Sequence, residues 1–149
     1  NKSEKYLLYL KQLTKKLNLE KNVIFDNRYL TVEEIFRYLA NTDIYITPYY
    51  KKEQSSSGTL SYALAAGCCI VSTPYFFARD LIEKHGVGKL VDFKDFSSIA
   101  KVVNSLSFNR SKIFDYQKKS YELGQSIEFS KVVDNFISIL KKQKNLKGE

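Results

Sequence analysis

The sequence predicts an α/β fold, a three-layer Rossmann-like parallel sheet with helices on both faces and a helical carboxy-terminal tail. Helical and strand patterns alternate from the amino end to about residue 95. The predicted strands are short and continuously apolar, which indicates burial on both faces and therefore parallel pairing. After Asp95 the apolar residues recur only at helical spacing, which predicts the tail.

The first half of the chain contains two predicted helices and two predicted strands. An amino-terminal helix precedes the apolar run at residues 23–25, which predicts the first strand. Thr31 and Glu34 have the spacing of a capping box and predict the start of the second helix. Ile44 to Thr47 is the second predicted strand, which Pro48 ends because proline has no N–H for strand pairing.

The second half continues the alternation and then becomes helical. A helix begins near Gly58 and stops at Gly67, and Asp95 is a predicted N-cap. The other predicted elements are strands at residues 68–72 and 89–91 and helices at residues 78–84, 99–106, 113–123 and 130–140.

Length and composition indicate one globular domain over residues 1–149. The chain has 149 residues with 44% hydrophobic and 14% aromatic content, which excludes a disordered class. No apolar run reaches the roughly 20 residues of a membrane helix, so we expect a cytoplasmic protein. The chain opens at Asn1 in a helical pattern, and we expect it to be a piece of a longer protein.

The basic net charge raises the question of whether the chain binds nucleic acid or an anionic membrane. The net charge is +8, and the lysines cluster only near the end, at Lys141, Lys142, Lys144 and Lys147. We expect no nucleic-acid binding, because lysine outnumbers arginine and most aromatic residues have core-like spacing. The basic surface could hold the parent protein peripherally at the inner face of an anionic membrane.

Cysteine and histidine give no metal site. Cys68 and Cys69 are adjacent in a predicted strand, so their side chains should point to opposite faces and neither pair nor share a metal. We expect buried reduced thiols. The single histidine, His85, lies in a predicted turn, and we predict no metal and no cofactor.

A serine-rich loop precedes the helix that begins near Gly58. The first N–H groups of a helix are free to face an anion, and small side chains such as those of Ser57, Gly58 and Thr59 let it approach. A nucleotide diphosphate is the candidate ligand. The alternative is a serine-rich N-cap that starts the helix without any ligand.

Several segments occur in an order that carries a family resemblance: NVIFDNRY, LANTDIYITPYY, SYALAAG, CCIVSTPY and HGVGKLV. From about residue 3 to about residue 140, the chain resembles the carboxy-terminal, nucleotide-sugar-binding half of a family 4 (group 1) retaining glycosyltransferase of the GT-B fold. The resemblance implies transfer of a sugar, as a hexosyltransferase, from a nucleotide diphosphate sugar to an acceptor, with retention of configuration.

The resemblance also implies roles for the loop. The family pattern has two glutamates separated by seven residues, which here correspond to Gln54 and Tyr62, with Glu53 one residue out of register. It therefore implies that Gln54 or Glu53 contacts the donor sugar as the catalytic residue. Tyr62 would contact the ribose or only pack.

The resemblance also implies contacts with the sugar and the diphosphate for residues between Gln54 and Tyr62. Ser55, Ser56 and Ser57 would contact the sugar, and the N–H groups of Gly58 and Thr59 would contact the diphosphate, with the Thr59 hydroxyl as an extra donor.

A separate segment would border the nucleobase. It consists of Arg28, Tyr29 and Leu30, and the alternative is a surface charge at Arg28 and a packing aromatic at Tyr29. Tyr75 and the two phenylalanines after it would line the cleft wall or belong to the core.

The resemblance places part of the machinery elsewhere. The family binds the acceptor mainly with an amino-terminal domain that has no counterpart here, so we expect this fragment alone to be inactive. Two alternatives stay open. One is a degenerate, non-catalytic GT-B half that scaffolds a partner, because Tyr62 replaces an acid. The other is a phosphorylase-like or epimerase-like relative, because the loop also suits inorganic phosphate.

Overall fold

The computed structural model describes residues 2–126, and the chain divides into two units between Leu30 and Thr31. The predicted last helix at residues 130–140 and the lysine cluster beyond it lie outside the described residues. The assignment of residues 1–149 to a single domain stays a prediction.

The first unit contains one helix, α1 (Lys2–Lys16). Residues 17–30 form turns and irregular backbone, so the strand predicted at residues 23–25 is wrong. The N–H of Val23 donates to the Leu19 carbonyl at 3.0 Å, and the side chain of Ile24 is 93% exposed. Three apolar residues indicate strand propensity, but a strand also needs a hydrogen-bonded neighbour, which the local sequence does not specify.

The second unit alternates helices and strands, as predicted. Its elements in chain order are α2 (Val32–Ala40), β1 (Ile44–Thr47), α3 (Gly58–Ala65), β2 (Cys69–Ser72), α4 (Phe76–His85), β3 (Gly88–Leu90), α5 (Phe96–Ser107) and α6 (Arg110–Ser126). The predicted ends differ from these bounds by only a few residues, as helix and strand ends commonly do.

The sheet of the second unit is parallel, with strand order β1-β2-β3. Ile44 pairs with Cys69 at one end of the β1–β2 ladder and Thr47 with Ser72 at the other. The carboxyl ends of β1 and β2 therefore lie side by side. Parallel sheets of this kind bind ligands beyond the carboxyl ends of their strands.

Two apolar clusters cover the two faces of the sheet and confirm the layered fold. Ile70 packs with residues of α3 and α4 on one face, whereas Cys69 and Val71 pack with residues of α5 and α6 on the other. Cys68 belongs to the first cluster and Cys69 to the second, so the two buried thiols point apart and are free, as predicted. Burial raises the pKa of Cys68 to about 11 and that of Cys69 to about 12.

Local signals fix the element ends next to the sheet. Thr31 and Glu34 form both hydrogen bonds of the predicted capping box. Gly67 follows α3 at φ 74°, a left-handed conformation that glycine adopts without strain. Gly88 lets β3 approach β2, because a Cβ there would lie 1.8 Å from the Ile70 carbonyl oxygen.

Candidate anion site at the amino end of α3

The loop that leaves β1 ends at Ser57, which caps α3. The Ser57 backbone is extended, and its hydroxyl accepts from the N–H of Leu60 at 3.3 Å. Its carbonyl accepts from the N–H of Ser61 at 3.1 Å. Serine is a favoured N-cap because its short side chain satisfies one of the free N–H groups of the first turn.

The cap leaves two backbone donors free. Among residues 2–126, neither the N–H of Gly58 nor that of Thr59 donates a hydrogen bond. A Cβ placed on Gly58 would meet no atom within 4 Å, and the first turn of α3 has no acidic side chain. The amino end of α3 is therefore open and suited to an anion by its free donors and by the helix dipole.

The hydroxyl of Thr59 is held in place by the sheet. The phenol of Tyr45, in β1, donates to Thr59 Oγ1 at 2.9 Å, and Ser57 Oγ lies 3.4 Å from the same atom. Burial raises the pKa of Tyr45 more than its hydrogen bond to Thr59 lowers it, so Tyr45 stays protonated and donates. The sequence offered no signal for this contact, because the two residues lie on different elements.

The loop is also bonded to the start of α4. The N–H groups of Phe76 and Phe77 donate to the carbonyls of Lys52 and Gln54, at 2.9 and 3.2 Å. Gln54 is half-buried, and its side-chain amide donates to the Ser56 carbonyl at 2.7 Å. These bonds hold residues 52–56 beside the amino end of α3.

At Ser55 the loop borders an open cleft of about 460 Å³. Its lining residues are Ser55, Phe76, Phe77, Arg79, Asp80 and Glu83. The Arg79 guanidinium lies 5.7 Å from the centre of the Phe76 ring, within the range of a cation–π contact. Phe76 and Phe77 line this cleft, and Phe77 also packs against the first apolar cluster, so their place in the wall of an interdomain cleft stays a prediction. Glu53 is exposed on the loop.

Two of the predicted aromatic positions pack inside the unit. The ring of Tyr62 lies 5.4 Å from that of Phe36 and is half-buried between α2 and α3. Tyr75 is fully buried, which agrees with the core interpretation of that residue.

The three residues predicted to border a nucleobase lie in the first unit. Arg28 forms an ion pair with Asp26 at 3.2 Å, and the side chain of Tyr29 is 94% exposed. Leu30 is half-buried. Their grouping around a nucleoside stays a prediction.

Metal ligands do not gather in the part of the chain that the structure describes. No three histidine, cysteine, aspartate or glutamate side chains in residues 2–126 come close enough to hold an ion. His85, predicted in a turn, is instead the exposed last residue of α4. Within the same residues, no helix is long and apolar enough to cross a membrane.

A parallel sheet with helices on both faces defines a layered α/β domain. The sequence identifies the family more closely. Residues 3–123 match the family described as glycosyl transferases group 1, and the chain belongs to this family. No curated protein sequence matches it.

Two solved structures share the fold. The C-terminal domain of the glycosyl transferase group 1 family protein LpcC from Francisella tularensis is 20% identical, with a TM-score of 0.71, over 82% of this chain and 62% of that one. Anabaena HepE, solved in complex with UDP-glucose, is 17% identical, with a TM-score of 0.77, over 93% of this chain and 37% of that one. The chain thus spans less than two thirds of either structure.

Proposed function

We propose that this chain is the donor-binding domain of a glycosyltransferase, and that the N–H groups of Gly58 and Thr59 hold the diphosphate of a nucleotide sugar. The observation that carries the proposal is the pair of unpaired donors at an unobstructed helix amino end. Fixed donors and the dipole of α3 would stabilise the charge that develops on the departing diphosphate. This charge stabilisation requires no metal, and we propose a metal-independent reaction without a cofactor.

The donor sugar would lie over the loop between Glu53 and Ser57. The nitrogen of the Gln54 side chain is bonded to the loop, which leaves its oxygen as an acceptor for a sugar hydroxyl. Glu53 is the second candidate for this contact because its carboxylate is exposed. Ser55 and Ser56 are exposed on the same loop and would add hydroxyl contacts.

The remaining parts of the reaction are proposed from the family. Arg28, Tyr29, Leu30 and Tyr62 would border the nucleoside, and another domain would bind the acceptor. We propose hexosyl transfer with retention, in the cytoplasm or peripherally at the inner membrane face. This fragment alone would bind the donor without transferring its sugar.

A non-catalytic scaffold is the second candidate function, and Tyr62 favours it. Its position is where the family has a ribose-binding acid, and its ring packs against Phe36. In a longer protein that contains this chain, Gln54→Ala and Glu53→Ala separate the two functions. Unchanged sugar transfer in both variants would contradict a catalytic role for this loop.

A direct test removes one N–H from the proposed site. Gly58 is the first residue of α3, where proline is well tolerated, and the extended Ser57 backbone suits a residue before proline. Gly58→Pro should weaken UDP-glucose binding to the 149-residue chain about tenfold, as expected for a lost charge-assisted hydrogen bond. Calorimetry and amide chemical shifts would measure it.

Gly58→Ala is the matched control. It adds a Cβ where the domain has no atom within 4 Å and keeps the N–H, so it shows the effect of the added carbon alone, and its affinity should exceed that of Gly58→Pro. Equal affinities for the proline and alanine variants would overturn the proposal, as would wild-type Gly58 and Thr59 amide signals that do not respond to UDP-glucose. Preferential binding of inorganic phosphate would instead favour a phosphorylase-like relative.

A further inference from the structure

A small basic pocket lies on the face of the sheet that α5 and α6 cover. Its volume is about 180 Å³, and its lining residues are Lys89, Lys101, Val102, Ser105, Leu106 and Lys112. The three lysines belong to β3, α5 and α6, and no acid among residues 2–126 lines the pocket. Lys89 pairs with Val71, which packs in the cluster on this face, so both side chains point to the same side. Three elements therefore bring three cations to one pocket.

The three ammonium groups lack anionic partners. None of them forms an ion pair with a carboxylate of residues 2–126, whereas Arg110, at the start of α6, pairs with Asp43 at 3.0 Å. Asp95, at the amino end of α5, is affected by the charge of Lys101, and Asp115 is on α6, but neither aspartate lines the pocket. Like charges repel, so a bound anion would stabilise this arrangement.

An exposed aromatic ring lies next to the lysines. Phe108 is 92% exposed and follows Ser105 by three residues, so the two side chains are neighbours on one face of α5. The turn that follows is fixed, because the Asn109 side chain accepts from the N–H of Lys112 at 3.1 Å. Lysines beside an exposed phenylalanine are typical of surfaces that contact an anionic bilayer.

The basic pocket is separate from the proposed donor site. The ion pair between Arg110 and Asp43 places the turn between α5 and α6 near the amino end of β1. The N–H groups of Gly58 and Thr59 instead lie beyond the carboxyl end of β1, on a helix that packs on the other face of the sheet. The pocket is also smaller than the roughly 300 Å³ of ordinary ligand pockets, which favours a single charged group over a whole nucleotide.

We propose that Lys89, Lys101 and Lys112 bind the phosphate groups of anionic lipids, and that Phe108 enters the bilayer interface beside them. The apolar floor of the pocket suits the methylene stems of the lysines, whose charged ends reach the headgroups. The inference goes beyond the proposed function, since it needs no nucleotide sugar, and it assigns residues to the peripheral location proposed above. Contact through this end of the sheet would leave the carboxyl ends of the strands open to water.

The triple variant Lys89→Gln, Lys101→Gln and Lys112→Gln tests the proposal. Sedimentation of the 149-residue chain with vesicles of phosphatidylglycerol and phosphatidylcholine measures its affinity for an anionic surface. That affinity should fall about thirtyfold to hundredfold, because each lysine near such a surface contributes roughly a factor of five. High salt should reduce the difference, since it screens exposed charges.

A matched control removes three charges elsewhere, and its affinity should fall clearly less. It replaces by glutamine three exposed lysines of α1, namely Lys5, Lys11 and Lys15. Thermal unfolding of both triple variants should match that of the wild type, because surface substitutions of this kind change stability little.

Two single variants test the aromatic contact. Phe108→Ala should lower the vesicle affinity about threefold to tenfold, because the ring no longer enters the interface. Phe96→Ala is its control, since Phe96 is 65% exposed at the amino end of the same helix, and this variant should bind as the wild type does.

Equal vesicle affinities of the wild type and the pocket variant would overturn the proposal, as would equal losses in the two triple variants. Wild-type binding to pure phosphatidylcholine vesicles with the same affinity would also overturn it. Inorganic phosphate that binds the wild type but not the pocket variant, without vesicle binding, would replace the lipid by a soluble phosphate. The affinity for UDP-glucose should be the same in the wild type and the pocket variant. Absence of wild-type binding to UDP-glucose would overturn the proposed function alone.

Discussion

Two strand-to-helix connections in the second unit begin at neighbouring strand ends. They differ in whether the first N–H groups of the helix that follows are free or bonded. The connection from β1 to α3 ends in a capping serine and leaves the N–H groups of Gly58 and Thr59 free. The connection from β2 to α4 ends at Tyr75, which makes no side-chain cap bond. The N–H groups of Phe76 and Phe77 are instead taken by carbonyls of the first connection.

The difference shows that topology alone does not make a ligand site. Both helices begin beyond the carboxyl ends of parallel strands, where such sheets bind ligands. At the first two positions of these helices, only α3 has free donors, because the carbonyls of Lys52 and Gln54 bond those of α4. The first connection thus leaves the amino end of its own helix open and closes that of the next.

The largest expected effect is at Tyr75, which supports both connections from the core. Tyr75→Ala should lower the free energy of unfolding by about 3–5 kcal/mol, as deletion of a buried aromatic ring does. Tyr49→Ala, at a side chain that is 39% exposed, should cost clearly less. Urea denaturation of both variants would measure this. Equal losses would show that Tyr75 supports the strand ends no more than its exposed neighbour does.

The second prediction compares proline at the first position of each helix. Phe76→Pro removes the bond to the Lys52 carbonyl and should destabilise the chain by about 1 kcal/mol relative to Phe76→Ala. Gly58→Pro removes no internal bond and should stay within about 0.5 kcal/mol of Gly58→Ala. Chemical denaturation of the four variants gives both differences. Similar differences at the two helices would contradict the contrast between a closed and an open amino end.

The third prediction concerns the cap. Ser57→Ala should cost about 1 kcal/mol, since the Leu60 N–H loses its side-chain acceptor. Ser56→Ala is the control, because its side chain is exposed and only its backbone carbonyl is used, by Gln54. Thermal and urea unfolding should separate the two. A loss at Ser56 as large as that at Ser57 would show that the cap contributes nothing particular to α3.

Much of this contrast depends on local signals and could be predicted from the sequence. Capping boxes, N-caps and adjacent strand residues are short-range patterns, so Thr31 and the opposed cysteines were predicted correctly. The cap at Ser57 agrees with the alternative interpretation of the loop as a serine-rich N-cap. The open amino end of α3 follows from the same kind of signal, because a serine cap before glycine leaves the first N–H groups free.

The rest depends on contacts between distant residues. The run at residues 23–25 has strand-like composition, yet Val23 bonds within a turn. The closure of α4 by the Lys52 carbonyl involves no side-chain pattern, and the burial of Tyr75 against Tyr49 depends on how two connections pack. Single-sequence periodicity does not encode such pairings.

The smallest expected effect lies at the bond that links β1 to the second residue of α3. Tyr45→Phe removes the donor to Thr59 Oγ1, and Thr59→Val removes the acceptor with little change of shape. A double-mutant cycle should give a coupling of about 0.5–1 kcal/mol in the free energy of unfolding, near the lower end for a hydrogen bond, because Thr59 is exposed. If the losses in the free energy of unfolding are additive, this bond does not stabilise the free domain. The capping bond of Ser57 would then be the side-chain contact that stabilises the amino end of α3. A measurable coupling would show instead that the sheet holds the Thr59 hydroxyl in place before any ligand arrives.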